Sequence, residues 1–424
     1  MSSHEVELIT RVEGHAVYAV DLEKGEVKSV RFAPVEGARL FEAWLRQRHY
    51  DEVYFFASRI CGFCPVSHNL ASVKAVEAAL QVQPSEQTVK LRKIMNFGEH
   101  LQSHCIHVFF LSLPDFVGAE SAFALLPQYG EEVKAAVEFR DHANYLIEAV
   151  GGRPVHPMAT AVGGFRRLPT PTQIAEMLSR ARQMKKLLEK LVDFYSKAKV
   201  PEFSRETEYL GLQSQLEYAL YDGCLASTKG FKAEVEAYKQ HIEEEVREYS
   251  TAKYYTREGK PFMVGALARF NLNYDQLSDD AKETAETLGL KHPTYNSFHN
   301  TTAQLVEMVH DVDEVLKILE EFQDSGLKDE RPPKVEVKPG KGTASVEAPR
   351  GTLIPSYEMD GNGLLREVDI VTPTAMSLNN VEADMRVLVK ENLNLPREKL
   401  ASLVEALIRA YDPCISCSVH FLRK

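Results

Sequence analysis

Two short stretches decide the reading of this chain: "RICGFCPVSH" at residues 59–68 and "DPCISCSVH" at residues 412–420. Each holds a CxxC pair, Cys61/Cys64 and Cys414/Cys417, and each is followed by a histidine. A CxxC spacing lets two sulfurs converge on one ion from a single turn. Two such pairs supply four thiolates, which select soft or borderline metals: zinc, copper(I), nickel or iron–sulfur clusters. One pair alone would fit a redox dithiol or a zinc knuckle equally well. If the pairs share a site, both ends of the chain lie in one domain, and a single domain over 1–424 is expected. On spacing alone a structural zinc ion stays open. Structural zinc pairs usually sit within one small module, however, and here arginine, proline, aspartate and histidine crowd the sulfurs.

The remaining composition narrows the class. A formal net charge of −11 argues against a nucleic-acid partner or an anionic membrane surface, both of which need a basic face. No run approaches the roughly 18 apolar residues of a membrane helix; the most apolar, "VFFLSL" at Val108–Leu113, is core-sized. "MSSHEVELITRVEGH" at the start lacks a basic region followed by an apolar segment, so a cytoplasmic chain without direct membrane insertion is expected. With six cysteines in 424 residues, a disulfide scaffold is excluded. Cys105 and Cys224, outside the pairs, read as small buried hydrophobes.

Along the chain, "ELITRVEG", "HAVYAVDL" and "EVKSVRFA" alternate apolar and polar residues and predict antiparallel strands over about 4–33. Helical periodicity begins at Ser85 and continues to about Leu113. It recurs at about 130–150, 172–199, 228–249 and 297–323, which predicts a bundle of long helices over about 85–325. Residues 326–345, rich in Lys, Glu, Pro and Gly, read as a surface connection with one or two short strands. Alternation returns from Thr352 to about Val371, and a last helix at about Arg397–Ala410 leads into the second cysteine pair. The C-terminal metal-site segment is thus about 346–424. The fold class expected is α+β, mostly helical, with small antiparallel sheets.

The two motifs resemble the paired signatures of nickel–iron hydrogenase large subunits, and five further stretches fall in that family's order. These are "TRVEGH" (Thr10–His15), "RLFEAWLRQRHYDE" (39–52), "GGRPVHP" (Gly151–Pro157), "APRG" (Ala348–Gly351) and "DIVTPT" (Asp369–Thr374). The resemblance implies a Ni–Fe centre held by the four thiolates, with carbon monoxide and cyanide on the iron. By motif position Cys61 and Cys414 are the terminal nickel ligands, and Cys64 and Cys417 bridge to iron. A terminal thiolate is also a base, close enough to take a proton when dihydrogen is split.

The same resemblance assigns the neighbours. Glu13 matches the family's proton-relay glutamate; the alternative is a structural salt bridge to Arg11. Arg350 is expected over the open metal position, held by Asp412, with Thr374 donating to a cyanide and His68 hydrogen-bonding a ligating sulfur. Glu42, the main-chain carbonyl at about Ile370, and His420 match the ligands of a magnesium ion. His156 matches the histidine that faces the nearest cluster of an iron–sulfur small subunit. No cysteines are left here to bind such a cluster, so that small subunit is expected to be an obligate partner.

The chain departs from the family pattern at "LQSH" (Leu101–His104), where Ser103 stands in place of a frequent aspartate. Its length is similar to that of the family's compact cytoplasmic branch, which couples to NAD(P) or a deazaflavin, and "DPCISCSVH" with "PFMVGALARF" (Pro261–Phe270) most resembles the sulfhydrogenase-type, NADP-linked alpha subunits. That branch implies diaphorase-type flavin and iron–sulfur subunits as further partners. The family trims its chain after the motif histidine once maturation proteins have inserted the metals. "FLRK" after His420 therefore reads as a short peptide for a C-terminal endopeptidase. Two other classes compete: a hydrogen-sensing regulator with the same centre, and a respiratory-complex relative that lost it. Four retained cysteines argue against the second.

Overall fold

Ala16–Glu23 and Glu26–Pro34 pair antiparallel around Lys24 and Gly25, both at positive φ, the I′ arrangement whose twist suits a two-residue hairpin. Val6–Leu8 adds a third strand. The computed structural model describes residues 6–419, so His420 and the "FLRK" tail lie outside the described residues.

The helical bundle is built from Glu86–Ile106, Ala122–Gly151, Pro171–Ser196 and Asn300–Ser325, packed against one another. Local sequence starts each cleanly. Ser85 caps the first by accepting the Thr88 N–H. Thr170 and Gln173 form a reciprocal capping box ahead of Pro171. The Pro171–Ser196 helix buries Ile174, Met177, Leu178, Ala181, Met184 and Leu188, the three- and four-residue spacing of one apolar face. From Ile106 the first helix runs into a π turn at His107–Ser112, an irregularity often found at functional sites.

A second layer carries the C-terminal half of the site. Gly351–Met359 pairs with Leu365–Val371 on one edge. On the other edge it pairs with Gly340–Thr343 and Val346–Ala348 in one continuous antiparallel register. Pro349 and Arg350 are therefore the two loop residues of a long hairpin, and the tip points Arg350 inward, where it is buried. This sheet lies on the Pro65–Leu80 helix.

Two points of the sequence reading are corrected. Residues 228–249 form no helix; they contain strands Lys232–Ala233 and Glu243–Val246 around a 3₁₀ turn at Val235–Gln240. Val235, Tyr238 and Ile242 mimic helical spacing, but each is buried against neighbouring strands in a separate small core. With the strands at Glu208–Gln213, Cys224–Ser227 and Lys253–Thr256, the stretch 85–325 is not helical throughout. The surface connection is irregular as far as Pro339 and carries one of its expected short strands, Gly340–Thr343, in the sheet. Finally, Pro373–Glu391 is a helix that periodicity did not reveal, because it is buried on most faces and carries buried Ser377, Asn379 and Asn380. Among the described residues no single helix is long and apolar enough to cross a membrane.

Gly340 and Gly342 explain why the connection joins the core. Their missing side chains let the strand lie directly on the backbone of Ala75–Ala79, a close approach that glycine in a strand often marks. A Cβ on Gly342 would run into the Ala75 carbonyl oxygen and the Ala79 nitrogen. Gly342→Ala should therefore cost at least about 2 kcal/mol. Gly130→Ala, inside a helix with nothing near its Cβ, should be neutral or stabilising. Thermal unfolding of the two variants side by side checks the contrast.

Candidate metal centre

The first cysteine pair sits on a turn locked from both sides. Cys61 follows the Ser58–Ile60 turn, and Cys64 is the N-cap of the Pro65–Leu80 helix, with Pro65 at its first position. The exposed N–H groups of that helix end are taken by a buried carboxylate. Glu99 accepts from the Ser67 N–H at 2.8 Å, from the Val66 N–H and from the Ser67 hydroxyl. Burial pushes the Glu99 carboxyl up to about 8 in spite of these donors. Arg39 donates to the Ile60 and Arg59 carbonyls and holds the other side.

The second pair is locked by the N-terminal segment. The Arg397–Ala410 helix ends, Asp412 takes a positive φ of 52°, and Cys414 opens the short helix Ile415–Ser418. Glu13 and Cys414 form a parallel β-bridge, with the Ile415 N–H donating to the Glu13 carbonyl at 3.0 Å. The Glu13 carboxylate accepts from the Ser416 N–H at 3.0 Å and from its hydroxyl. Gly14 makes this contact possible: its φ is +81°, and a Cβ there would lie 2.8 Å from Ile415 Cβ.

The four sulfurs then meet. Cys61 Sγ lies 3.2 Å from Cys414 Sγ, Cys64 Sγ 3.3 Å from Cys417 Sγ, and Cys414 Sγ 3.0 Å from Cys417 Sγ. All four are buried and none is in a disulfide. Four buried thiolates within reach of one ion make a donor set for a soft or borderline metal, nickel among them. The residues thus fit a nickel-containing centre.

Without metal the cluster cannot ionise fully, because each thiolate disfavours the next. Burial opposes ionisation of Cys61, yet S–H donors from Cys414, Cys417 and Cys64, together with Arg350, hold its thiol well below the usual range. Burial and its neighbours push Cys414 up. Metal entry must therefore expel protons.

Around the sulfurs most expected residues converge. Arg350 donates to Asp412 Oδ1 at 2.9 Å and to Ser103 Oγ at 3.1 Å, so serine takes the place left by the missing carboxylate. Asp412 Oδ2 accepts from Gln304 at 2.9 Å. His107, in the π turn, bonds Gln304 and the Arg409 carbonyl. Thr374 Oγ1 accepts the Cys414 N–H at 2.9 Å, and His68 Nε2 lies 3.6 Å from Cys417 Sγ. Cys414 Sγ lies 3.1 Å from Glu13 Oε2, within hydrogen-bond distance. Arg11 pairs with Asp115 and the Leu111 carbonyl instead, so the Arg11–Glu13 salt bridge is not formed. His156 lies beside the first motif, its Nδ1 2.8 Å from the Ser58 carbonyl oxygen, and is only half buried.

Sequence reasoning missed the support for the hairpin tip. Arg269 is fully buried and donates to Glu307 at 2.6 and 2.7 Å, to Glu347 at 3.0 Å, and to the carbonyls of Ala348 and Pro349. Tyr218 and His104 also bond Glu307. His100, His104 and Glu307 lie close enough to suggest a second metal site, but both Glu307 oxygens already face the guanidinium. The cluster is an ion-pair network. A lone arginine within the apolar "GALARF" was the available signal.

The magnesium site does not fit. Glu42 and Ile370 do meet, but through the Ile370 N–H, which donates to Glu42 Oε1 at 2.9 Å. The same oxygen accepts from the Lys253 ammonium at 3.0 Å. Magnesium needs oxygens at about 2.0–2.1 Å in an octahedron, and here two N–H donors occupy Glu42 Oε1. Glu42 and Ile370 are thus brought together as expected from the motifs, with an N–H rather than a carbonyl facing the carboxylate; His420 lies outside the described residues.

Comparison with known proteins agrees with this geometry. The family model described as nickel-dependent hydrogenase matches residues 39–138 and 204–420. The chain belongs to the nickel-dependent hydrogenases. It is 32% identical to the alpha chain of sulfhydrogenase 1 of Pyrococcus furiosus over 420 residues, covering 99% of this chain and 98% of the relative. It is also 32% identical to a chain of the F420-non-reducing hydrogenase of Methanothermobacter thermautotrophicus, covering 98% and 94%. Among solved structures, an NAD+-reducing [NiFe]-hydrogenase in the H2-reduced state superposes with a TM-score of 0.90 at 27% identity, covering 99% of both chains. The protein is accordingly a hydrogenase large subunit, with its four motif cysteines gathered at the metal centre.

For this hydrogenase, Arg269→Met should strand two buried carboxylates beside the Arg350 hairpin. A loss of about 3–5 kcal/mol is expected, the cost of breaking a buried ion pair from one side. Denaturant unfolding, with Arg182→Met as an exposed control, measures it.

Proposed function

We propose that this chain is the catalytic subunit of a cytoplasmic, NAD(P)-linked hydrogenase and that Glu13 carries the proton away from Cys414. The observation that carries the reading is the line from Cys414 Sγ to Glu13 Oε2, 3.1 Å long, with the other carboxylate oxygen on the Ser416 hydroxyl. Cys61 and Cys414 would hold nickel terminally, and Cys64 and Cys417 would bridge it to an iron bearing carbon monoxide and cyanide. Bound there, the two metals would polarise dihydrogen and take up its electrons.

The chain's own residues do the rest. Cys414 Sγ accepts the proton at hydrogen-bond distance from its next carrier, so the transfer needs no mobile water. Glu13 is fixed by backbone pairing on one side and by Ser416 on the other, and its partly buried carboxyl forms the exit. Arg350 remains charged over the sulfurs, since Asp412 and the thiolates outweigh the burial that would discharge it. Preorganised donors of this kind favour charge separation in a dry site. His68 and Thr374 fix Cys417 and the Cys414 backbone.

Electrons have to leave through a partner, because Cys105 and Cys224 alone cannot hold a cluster here. Half-exposed His156, beside Cys61, marks the face for an iron–sulfur small subunit. The likeness to an NAD+-reducing [NiFe]-hydrogenase supports an NAD(P)-linked flavin and iron–sulfur module beyond it. Maturation proteins and an endopeptidase that removes "FLRK" complete the proposed assembly.

Infrared spectra of the matured complex should contain bands of iron-bound carbon monoxide and cyanide; a nickel-loaded complex without them would refute the diatomic ligands. Glu13→Gln should keep those bands and lose turnover and hydrogen–deuterium exchange by at least about 100-fold. Exchange at the wild-type rate would remove Glu13 from the path.

A further inference from the structure

Where the family would place a divalent ion, this chain gathers its carboxylates around a lysine. Lys253 opens the Lys253–Thr256 strand and its side chain is buried. Its Nζ lies 3.0 Å from Glu42 Oε1, 3.1 Å from Glu244 Oε2 and 3.5 Å from Asp369 Oδ1. Those carboxylates come from three separate places: the Phe41–Leu45 helix, the Glu243–Val246 strand and the Leu365–Val371 strand. The far oxygen of Asp369 is also satisfied, by the Tyr238 hydroxyl at 2.7 Å and by Lys239.

We propose that the Lys253 ammonium is the resident cation of this site and that the chain binds no divalent metal there. The ammonium donates to Glu42 and is ion-paired with Glu244 and Asp369, so a compact positive charge already sits among the three carboxylates. The Ile370 N–H, a donor, faces the same Glu42 oxygen. A second cation on that oxygen would have to displace Lys253 or sit against it. Like charges at such a distance in a buried site repel strongly. The tethered cation ties the same segments that a metal would tie. Arg39, three residues before Glu42, extends the tie to the second motif by donating its N–H to the Val419 carbonyl at 2.9 Å. An ion bound through a side chain cannot be chelated, does not compete with nickel for loading, and needs no delivery step. This inference rests on membership of the hydrogenase family and not on the proton path through Glu13.

Metal analysis of the matured wild-type complex tests it directly. Nickel should be stoichiometric, while magnesium, calcium, manganese and zinc stay well below one per nickel. The melting temperature should be unmoved by EDTA or by added magnesium chloride. One magnesium or other divalent ion per nickel, released by EDTA with a fall in melting temperature, would overturn the proposal. Nickel serves as the internal reference, so a failed maturation is told apart from a failed inference. Lys253→Met should lower the melting temperature and Lys253→Arg should recover part of the loss. An unchanged melting temperature in Lys253→Met would also overturn it. If neither variant assembles, the wild-type metal count still decides.

Discussion

Four thiols must be held within a few ångströms of one another in a place without water, and the rest of the structure serves that requirement. Buried sulfurs packed this closely do not assemble by themselves, because each ionisation opposes the next. Backbone locks supply the convergence. Glu99 caps the helix that starts at the first pair, and the Glu13 bridge zips the N-terminal segment to the second. Both carboxylates work largely through main-chain N–H groups, whose directions are set by the backbone and are hard to disturb from the surface.

The electrostatic frame is similarly indirect. Arg350 provides the cation above the sulfurs, but its position is decided by the hairpin loop, and the loop by Arg269. Burying Arg269 with Glu307 and Glu347 gives little net stability compared with a well-packed apolar core. What the network provides is a single allowed position for the tip. Ser103 in place of a carboxylate leaves Arg350 less neutralised and therefore more strongly cationic toward the thiolates.

Much of this was legible in the sequence, and the failures have physical causes. The cysteines, Glu13, Arg350, Asp412, Thr374 and His68 lie in short contiguous motifs whose spacing survives folding, so they could be named and they do meet. The N-terminal hairpin followed from period-two alternation. Residues 228–249 misled because Val235, Tyr238 and Ile242 satisfy a helical period while lying in a 3₁₀ turn and the loop after it. Pro373–Glu391 was invisible because a helix buried on nearly every face loses its amphipathic signature. Arg269, Glu99 and Lys253 act across long sequence separations from otherwise ordinary surroundings. Only the assembled fold reveals that a lysine points where a metal ligand set was expected.

The two cysteine pairs are 353 residues apart, and that separation has a thermodynamic meaning. Closing a flexible loop of this length costs about 5 kcal/mol of chain entropy. A centre bonded to both pairs works as a clip that removes this freedom from the unfolded chain, as a long-range cross-link does. Occupancy of the centre and resistance to unfolding are therefore one linked quantity. An empty chain opens more often, and a protease that samples open states will degrade it first. Metal loading and resistance to opening are thus coupled through the topology of the chain.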